Sequence, residues 1–323
     1  MKRALEVVGI LLLGVSTPAA AQSYPVKPVR IVVPWPPGGG NDILARWLAQ
    51  KLVEPLGQQV IVDNRGGQSG VIGADHVAKS APDGYTVMVH TVTGHIINSA
   101  FYAKLPYDTA RDFSSITMIA SVPHTIVAHP SLPVRTLKEL IAFAKARPGE
   151  LNFASFGQAS TSHLSGEMFN SMTGVKLVHI PYKGGGPALV DTMAGHVPLY
   201  FSSLPTSLQQ VKSGRLRALA VTSAQRSKQM PETPTVDEAA GTRGYVSELV
   251  YGVFAPANVP KEIIGRLNRE LVKILHTPEM RERLTGIGTG DPIANTPGEM
   301  QAYVRTELPK WARVVQTAGI KAE

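Results

Sequence analysis

Short runs of β-branched and aliphatic residues alternate with segments of helical periodicity, and this alternation restricts the possible folds more than any other feature of the chain. Residues 29–33, 60–62 and 85–89 have strand character. Residues 43–52 carry an apolar stripe near helical spacing, and residues 73–79 are the next helix candidate. A strand–helix–strand order that repeats roughly every 25–30 residues is typical of parallel sheets joined by crossover helices.

The same alternation starts again in the second part of the chain. The later strand candidates are residues 125–128, 151–154, 177–180, 199–201, 219–222 and 250–254, and the later helix candidates are residues 136–146, 160–172 and 187–194. From Lys261 the chain turns helical, and residues 297–311 give a final helix. We therefore predict an α/β fold with two doubly wound lobes, each a sheet with flanking helices, followed by a helical tail.

The first 22 residues have the features of a secretory signal peptide. Lys2 and Arg3 precede an apolar run at residues 7–15, and small residues follow it up to Ala21. The apolar run is shorter than the roughly 20 residues that a bilayer span needs. We predict that residues 1–21 are a signal peptide, cleaved after Ala21, and that the mature chain is exported and soluble.

The composition excludes several kinds of site and partner. The chain has no cysteine, which excludes disulfides, thiolate metal sites, iron–sulfur clusters and a cysteine nucleophile. The formal net charge is +8, but Lys and Arg form no block anywhere in the sequence. A nucleic-acid partner is therefore not predicted.

The local motifs of common enzyme classes are absent from the sequence. It contains no G-x-G-x-x-G after a strand, no G-x-x-x-x-G-K-[ST], no H-E-x-x-H and no G-x-S-x-G. The nine histidines are scattered and match no metal-ligand spacing. We predict a protein that is not an enzyme, with no catalytic residue, no metal site and no cofactor. An acid–base pair assembled from distant residues stays open.

A glycine-rich turn lies where the first strand ends and the first helix begins. It contains Pro37, Gly38 and Gly39 and runs to Asp42. Glycines let the backbone approach a ligand closely, and a helix N-terminus presents free N–H groups to an anion. A plain tight turn with Asp42 as helix cap explains the same residues equally well.

A second turn between a strand and a helix is rich in hydroxyl groups. Ser155, Gly157, Ala159, Ser160 and Thr161 belong to it. Hydroxyls at a helix start can cap the helix, or can hold a carboxylate together with backbone N–H groups. Ligands of open α/β sheets bind at the carboxyl ends of strands, so two such loops in two lobes predict a ligand cleft between them.

Two further segments could add groups to the same cleft. Lys183 stands beside three glycines and could neutralise an acidic ligand, while Tyr182 could hydrogen-bond to it or stack on it. A solvated lysine and a half-buried tyrosine are the equally plain alternative. Thr93 lies just after another strand candidate and could add a donor, whereas we expect the nearby His95 to be structural.

Several segments resemble a known family. Residues 24–39 are similar to the opening of mature substrate-binding receptors of tripartite tricarboxylate transporters, the Bug family. The similarity continues in order through residues 62–67, 82–86, 105–108, 163–167, 181–184, 216–222, 266–268 and 310–320. It therefore extends over essentially the whole chain after the predicted signal peptide.

The resemblance implies a two-lobe periplasmic-binding-protein fold, type II-like, with a hinge of two crossing strands. We expect residues 24–122 and 250–323 to form lobe 1 and residues 123–249 to form lobe 2. The resemblance also implies a periplasmic receptor that captures a small organic acid between the lobes and delivers it to a membrane permease. The acid would be a di- or tricarboxylate or an aromatic carboxylate, and the receptor would be a monomer.

The resemblance further implies which residues hold the ligand. Family members hold carboxylates mostly with backbone N–H groups, hydroxyls and water. The matching positions here are Trp35, Pro37, Gly38, Gly39, Asp42, Thr93, Ser155, Gly157, Ala159, Ser160, Thr161, Tyr182, Lys183 and Ser202.

Three of these positions depart from the family pattern. Ala159 stands where a second glycine is common, Trp35 replaces a more usual Phe or Tyr, and Ser202 stands where Asp is frequent. The missing carboxylate at Ser202 favours a plain acid over a ligand with an ammonium group. Trp35 offers a larger aromatic wall, which allows an aromatic acid without requiring one. Two other functions stay open, namely a ligand-sensing partner of a membrane sensor kinase and a periplasmic enzyme on the same scaffold.

Overall fold

The computed structural model describes residues 24–317, so the predicted signal peptide lies outside the described residues. The first part contains β1 Val29–Val33, α1 Gly40–Leu56, β2 Val60–Asn64, α2 Val71–Ala78, β3 Thr86–Thr91, α3 Val92–Phe101 and the long strand β4 Phe113–Ala128. Then follow α4 Leu137–Ala146, β5 Asn152–Ser155, α5 Thr161–Thr173, β6 Val178–Pro181, α6 Gly185–Met193, β7 Leu199–Ser203, α7 Leu204–Lys212, β8 Arg217–Val221 and α8 Val236–Ala240. The last elements are β9 Glu248–Pro256, α9 Lys261–Leu275, α10 Pro278–Gly286 and α11 Pro297–Thr317.

The first half of the mixed sheet is built on β1. This strand pairs in parallel with β2 and β3, while β9 pairs antiparallel with β3 and with the first part of β4. The late helix α9 packs on this half because its apolar stripe, which includes Ile264, Leu267 and Leu271, is buried on one face. The carboxyl ends of β1 and β3 therefore lie at the same edge, where α1 and α3 begin.

The second half repeats the arrangement around β5. This strand pairs in parallel with β6 and β7, and β7 and β8 pair antiparallel with the last part of β4. A core that includes Phe153, Phe169, Phe201 and Tyr245 lies between this half and its helices. The carboxyl ends of β5, β6 and β7 lie at one edge, and α5, α6 and α7 begin there.

The strand β4 joins the two halves into one sheet. Its residues 113–123 pair with β9, and its residues 124–128 pair with β7 and β8. Just before β9, the backbone N–H of Ser247 donates to the carbonyl of Thr222 in the second half, at 2.9 Å. The predicted α/β fold, with two doubly wound halves linked by crossing strands, is confirmed. The division into lobes at residues 122/123 and 249/250 stays a prediction.

The amphipathic character of the helices matches their positions on the sheet surfaces. Each half has its own apolar core, and a third core containing Tyr251 and Tyr200 extends across the junction of the halves. None of the helices formed by residues 24–317 combines the length and the apolar content that a bilayer span requires.

Candidate functional site

The candidate site is a pocket between the carboxyl edges of the two halves. The space between its lining residues is about 460 Å³, counted out to the open mouth. Little of this space is wide enough to admit a water molecule, so the two walls stand close together. The pocket therefore has the form of a cleft that is nearly shut.

Five helix N-termini meet at this pocket, two from the first half and three from the second. They contribute Gly39, Gly40 and Asn41 of α1, Thr91 and Gly94 of α3, Ser160 and Thr161 of α5, Gly185 of α6, and Ser203 and Thr206 of α7. No side chain caps the N-termini of α1, α3, α6 and α7. The free N–H groups of these first turns and the positive ends of the helix dipoles are suited to bind an anion.

Charged side chains are absent from the pocket wall that the described residues form. Neither Asp, Glu, Lys nor Arg lines it. The same residues, 24–317, also contain no group of three or more His, Asp or Glu placed to hold a metal ion. An anion in this pocket would therefore be held by backbone N–H groups and hydroxyls rather than by salt bridges.

Large side chains form the apolar part of the wall. The ring centroids of Trp35 and Phe156 lie 6.5 Å apart at 77°. Trp35 is held in place because its Nε1 donates to Nδ1 of His90 at 3.3 Å, and Phe156 stacks on His124. Leu249 and Tyr251 of β9 close the wall. A hydrocarbon or aromatic portion of a ligand can pack here while its acidic end meets the helix N-termini.

The two walls also contact each other directly. Ser69, in the short turn before α2, donates through Oγ to the carbonyl of Gln158 in the opposite half. A Cβ atom on Gly186 would lie 2.9 Å from the carbonyl oxygen of Pro37, and one on Gly184 would lie 2.9 Å from Cδ of Pro36. These glycines therefore allow the first turn and the turn before α6 to approach closely.

Four of the predicted site residues line the pocket. These are Trp35, Gly39, Ser160 and Thr161. Ser160 also caps α5, because its Oγ accepts from the N–H of His163 at 3.2 Å. The other predicted residues lie around the pocket or behind it, where they shape or surround the same loops.

Asp42 lies behind the first turn and contacts other protein groups. Its carboxylate accepts from the N–H of Gly38 at 3.1 Å, from Nε of Arg46 at 3.0 Å and from Nδ2 of Asn64 at 3.0 Å. Burial alone would raise the pKa of Asp42, but the hydrogen bonds from Arg46, Gly38 and Asn64 outweigh it and hold the pKa below its usual value. The ionised Asp42 thus fixes the turn that leads into α1.

The second turn is braced by its own side chains. Oγ of Ser155 is 3.1 Å from both the N and the O of Gly157. Ala159 has a φ of 57°, in the left-handed region, which explains why a glycine would suit this position. Its methyl group is buried in a cluster with Ile97 and Leu164. These residues give the turn its shape and place Phe156 and Ser160 at the pocket.

The remaining predicted residues are either exposed or engaged elsewhere. Pro37, Gly38 and Lys183 are exposed, and the hydroxyl of Tyr182 donates to Asp191 at 2.6 Å. Thr93 and Ser202 are buried and bond to the backbone. Oγ1 of Thr93 accepts from the N–H of Val250, and Oγ of Ser202 donates to the carbonyl of Ser203. His95 packs among aromatic rings.

Several residues of the pocket were not predicted individually as site residues. Asn41, Phe156, Gly185 and Thr91 lie in or beside segments that the sequence marked for the cleft. Ser69, Asn98, Ser203, Thr206, Leu249 and Tyr251 lie outside those segments. Thr91 and Ser203 are the last residues of strands that pass into helices without a loop, so no turn signal marks them. Ser69 and Asn98 are joined by a hydrogen bond from Asn98 Nδ2 to the carbonyl of Ser69 at 3.0 Å, a long-range contact that no local pattern encodes.

Comparisons with known proteins give one consistent family. A sequence model described as tripartite tricarboxylate transporter family receptor matches residues 44–320. Protein BugT of Bordetella pertussis is 38% identical over 324 residues, 99% of each chain. The structure of R. palustris Rpa4515 with adipate is 39% identical, has a TM-score of 0.89 and covers 92% of this chain and 99% of that chain. MatC from Rhodopseudomonas palustris with bound malate is 29% identical, has a TM-score of 0.85 and covers 90% and 100%.

Proposed function

Because the chain belongs to the tripartite tricarboxylate transporter receptor family, a family of periplasmic solute-binding proteins that includes the Bug proteins, we propose that it captures a small organic acid and delivers it to a membrane permease. The solute-binding role follows from the family. The class of acid, the permease and export through residues 1–21 are our proposals for this chain.

Five helix N-termini converge on a pocket whose wall, as residues 24–317 form it, has no charged side chain, and this supports the organic acid most strongly. A cation would meet the positive ends of the helix dipoles and would find no carboxylate among these residues of the wall. An anion gains about 0.3–1 kcal/mol from each exposed helix terminus and up to about 2 kcal/mol where the site is partly buried. A carboxylate is therefore the ligand group that this pocket favours.

A dicarboxylate is the class that we favour among the acids. Rpa4515 has been solved with adipate and MatC with malate, and both ligands are dicarboxylates. In this chain the N-termini come from both halves, so the two ends of such a ligand would each find N–H donors. The aromatic wall of Trp35 and Phe156 makes an aromatic carboxylate the second class of acid that we propose.

An amino acid fits the pocket less well than an unsubstituted acid. An ammonium group needs an acidic or carbonyl partner when it is desolvated. No Asp or Glu lines the pocket within the described residues, and at position 202 a buried serine bonds to the backbone of its neighbour. We therefore propose that the ligand carries no ammonium group.

Capture would proceed by closure of the two halves about the crossing strands. We propose residues 24–122 with 250–323 as one lobe and residues 123–249 as the other, because β4 changes its pairing partners near residue 123. Each lobe presents helix N-termini to the ligand, so both contribute contacts only when they are close together. Such contacts are what a ligand needs to shift the equilibrium towards the closed state.

Thermal unfolding of the purified mature protein with a panel of acids tests this function. The panel holds adipate, malate, citrate, benzoate, glutamate and the uncharged diamide of adipic acid. A ligand at 100 times its Kd adds about 2.7 kcal/mol of stability, which shifts the midpoint by several degrees. We expect a shift from at least one acid and none from the diamide. An equal shift from the diamide, or a larger shift from glutamate than from every unsubstituted acid, would contradict the proposal.

A further inference from the structure

Two histidines lie stacked directly beneath the second turn. His163 of α5 and His179 of β6 have ring centroids 3.7 Å apart at an angle of 11°. His163 is 4% exposed. The turn above them, residues 155–161, places Phe156, Ser160 and Thr161 at the pocket. We call this segment the ligand turn.

The imidazole of His163 holds the ligand turn through one hydrogen bond. Its Nδ1 accepts from the backbone N–H of Ala159 at 3.2 Å. Ala159 is the residue in the left-handed region, with a φ of 57°. Because Nδ1 accepts, the ring proton must be on Nε2 and the imidazole must be neutral. A proton on Nδ1 would face the N–H of Ala159 and remove this bond.

His179 holds the beginning of the same turn. Its Nε2 lies 2.5 Å from Oγ of Ser155, and Ser155 bonds with both backbone groups of Gly157. A ring proton on His179 could still be donated to Ser155, so this bond tolerates either protonation state. Of the two histidines, His163 is therefore the one whose bond to the turn requires the neutral form.

The surroundings of the pair favour neutral rings. Burial lowers the pKa of His163 from 6.5 to about 4, and burial together with the charge of His163 lowers the pKa of His179 to about 3. On α5, Oε1 of Glu167 lies 3.8 Å from Nε2 of His163. Burial raises the pKa of Glu167, against a hydrogen bond from Asn170 that lowers it. The ring of Phe153 on β5 packs against His179.

We propose that His163 is a positioning residue for ligand binding: its neutral imidazole holds the ligand turn in the binding conformation, and its protonation releases the turn and weakens binding. The proposal rests on the proposed function, since it assumes that the ligand turn contacts the acid. His163 itself does not line the pocket. Its effect reaches the ligand through Ala159 and the start of α5.

The expected pH dependence has a definite sign. The histidine binds a proton more readily when the turn is released than when it is held, so the held form binds fewer protons in acid. The affinity for the acid is therefore highest above pH 6.5, the usual pKa of histidine, and it falls as the pH is lowered towards the His163 pKa of about 4. One linked proton gives at most about a ten-fold change in Kd per pH unit.

The first experiment needs no ligand. Nitrogen-15 NMR of the full mature chain reports the tautomer of His163 and the hydrogen exchange of the Ala159 amide in wild type, His163→Asn and His163→Leu. In the Asn variant, Oδ1 replaces Nδ1 as an acceptor; Leu has none. We expect the Nε2–H tautomer at pH 7 and an Ala159 amide protected in wild type and His163→Asn but exchanging at least ten-fold faster in His163→Leu. Equal exchange in all three, or a proton on Nδ1 at pH 7, would overturn the proposal.

The second experiment measures binding from pH 7 to pH 4.5 with adipate and malate as probes. The ratio of the wild-type Kd to the His163→Asn Kd cancels the titration of the probe itself. We expect this ratio to rise as the pH falls, and a control, His196→Gln at an exposed histidine, to follow wild type. A ratio that stays constant would overturn the role of His163. If neither adipate nor malate binds to any variant, the proposed class of acid is wrong. The NMR result still decides whether His163 holds the ligand turn.

Discussion

Gly40 begins α1 with its backbone against the ring of Tyr251, and this contact explains why the position needs a residue without a side chain. A Cβ atom on Gly40 would lie 2.3 Å from the hydroxyl oxygen of Tyr251 and 3.1 Å from Cζ. Tyr251 is buried in the core at the junction of the halves and cannot easily move away. The first turn of α1 therefore reaches the pocket only because the side chain is missing.

We expect Gly40→Ala to lower the free energy of unfolding by about 1–3 kcal/mol, because overpacking forces neighbouring groups to shift. It should also weaken binding of adipate about ten-fold, because the shift moves the first turn of α1, which lines the pocket; a loss of about 1.4 kcal/mol corresponds to that factor. Chemical denaturation and titration calorimetry measure the two effects.

The matched control is Gly265→Ala in the middle of α9. There the added Cβ atom meets only the flexible side chain of Arg269, at 3.4 Å. This change should raise the free energy of unfolding by roughly 0.5–1 kcal/mol and leave binding unchanged. If Gly40→Ala and Gly265→Ala change stability and binding in the same way, the close approach of α1 to Tyr251 is not the reason that position 40 needs a glycine.

At the residue scale, the sequence predicted the parts of the site that carry turn chemistry. Gly39, Ser160 and Thr161 stand in recognisable turns at helix starts, and they line the pocket. Asn98 and Leu249 do so as well, but one lies inside a helix and the other inside a strand. Asn98 and Leu249 reach the pocket because of the way the two halves meet, and local sequence patterns carry no information about that arrangement.

The N-terminus of α5 combines a structural cap with a pocket wall, and a matched pair of variants separates the two roles. Oγ of Ser160 accepts from His163 N–H, and Oγ1 of Thr136 accepts from Glu139 N–H at the start of α4, both at 3.2 Å. Ser160→Ala and Thr136→Ala should each cost about 1 kcal/mol of stability. Only Ser160→Ala should also weaken binding, by about three- to ten-fold. An equal loss of affinity in Thr136→Ala would count against a role of the hydroxyl in the pocket.

The N-terminus of α7 tests whether the pocket prefers negative charge. Thr206 is buried in the first turn of α7 and lines the pocket. Thr206→Asp and Thr206→Asn differ only in charge. The carboxylate should favour the helix itself, but at about 5 Å it would repel a bound anion by about 3 kcal/mol, or roughly 100-fold in Kd. Tighter binding of adipate to Thr206→Asp than to Thr206→Asn would contradict an anion site.

At the element scale, the sequence predicted the alternation of strands and helices better than the joints between them. The helices α3 and α7 were missed because they begin one residue after β3 and β7 end, without a turn. The first part of β4 was missed as well, since polar residues interrupt its apolar pattern. Ser115 and Thr117 are buried there by contacts with α11 and the segment before it. Tertiary packing, rather than a local sequence pattern, therefore determines where these elements form.

For the whole molecule, the account requires that the two halves close on the ligand. Gly186 belongs to the first turn of α6, and its added Cβ atom would lie 2.9 Å from the carbonyl oxygen of Pro37 across the cleft. This contact is lost when the halves open, so we expect Gly186→Ala to leave the stability of the open, ligand-free protein unchanged or slightly higher. Its affinity for adipate should fall about ten-fold, because the clash raises the free energy of the closed state by about 1.4 kcal/mol, which corresponds to that factor.

Small-angle X-ray scattering with and without ligand reports the closure directly. Wild type should become more compact when adipate is added, and Gly186→Ala should do so only at higher adipate concentration. If Gly186→Ala binds adipate as tightly as wild type, the close approach between Pro37 and the start of α6 does not occur in the bound state. If wild type binds the acid without compaction, closure itself is contradicted.

The division into two halves could be predicted from the repeated alternation, but the binding surface could not. The surface arises where β4 changes partners and brings the edges of β1 and β3 opposite those of β5 and β7. A sequence marks each edge separately and carries no local signal for their relative placement. The charge-free wall is therefore a property of the whole molecule rather than of any one motif.

The central claim is that backbone N–H groups of helix N-termini hold the acid, and a crystal structure of the complex tests it most directly. The crystal should contain the acid that gives the largest thermal shift. We predict carboxylate oxygens within about 3.2 Å of backbone nitrogens in the first turns of helices from both halves, with no Lys or Arg side chain in contact. A carboxylate bound instead by a side-chain cation such as Lys183, or an acid that contacts only one half, would contradict the account.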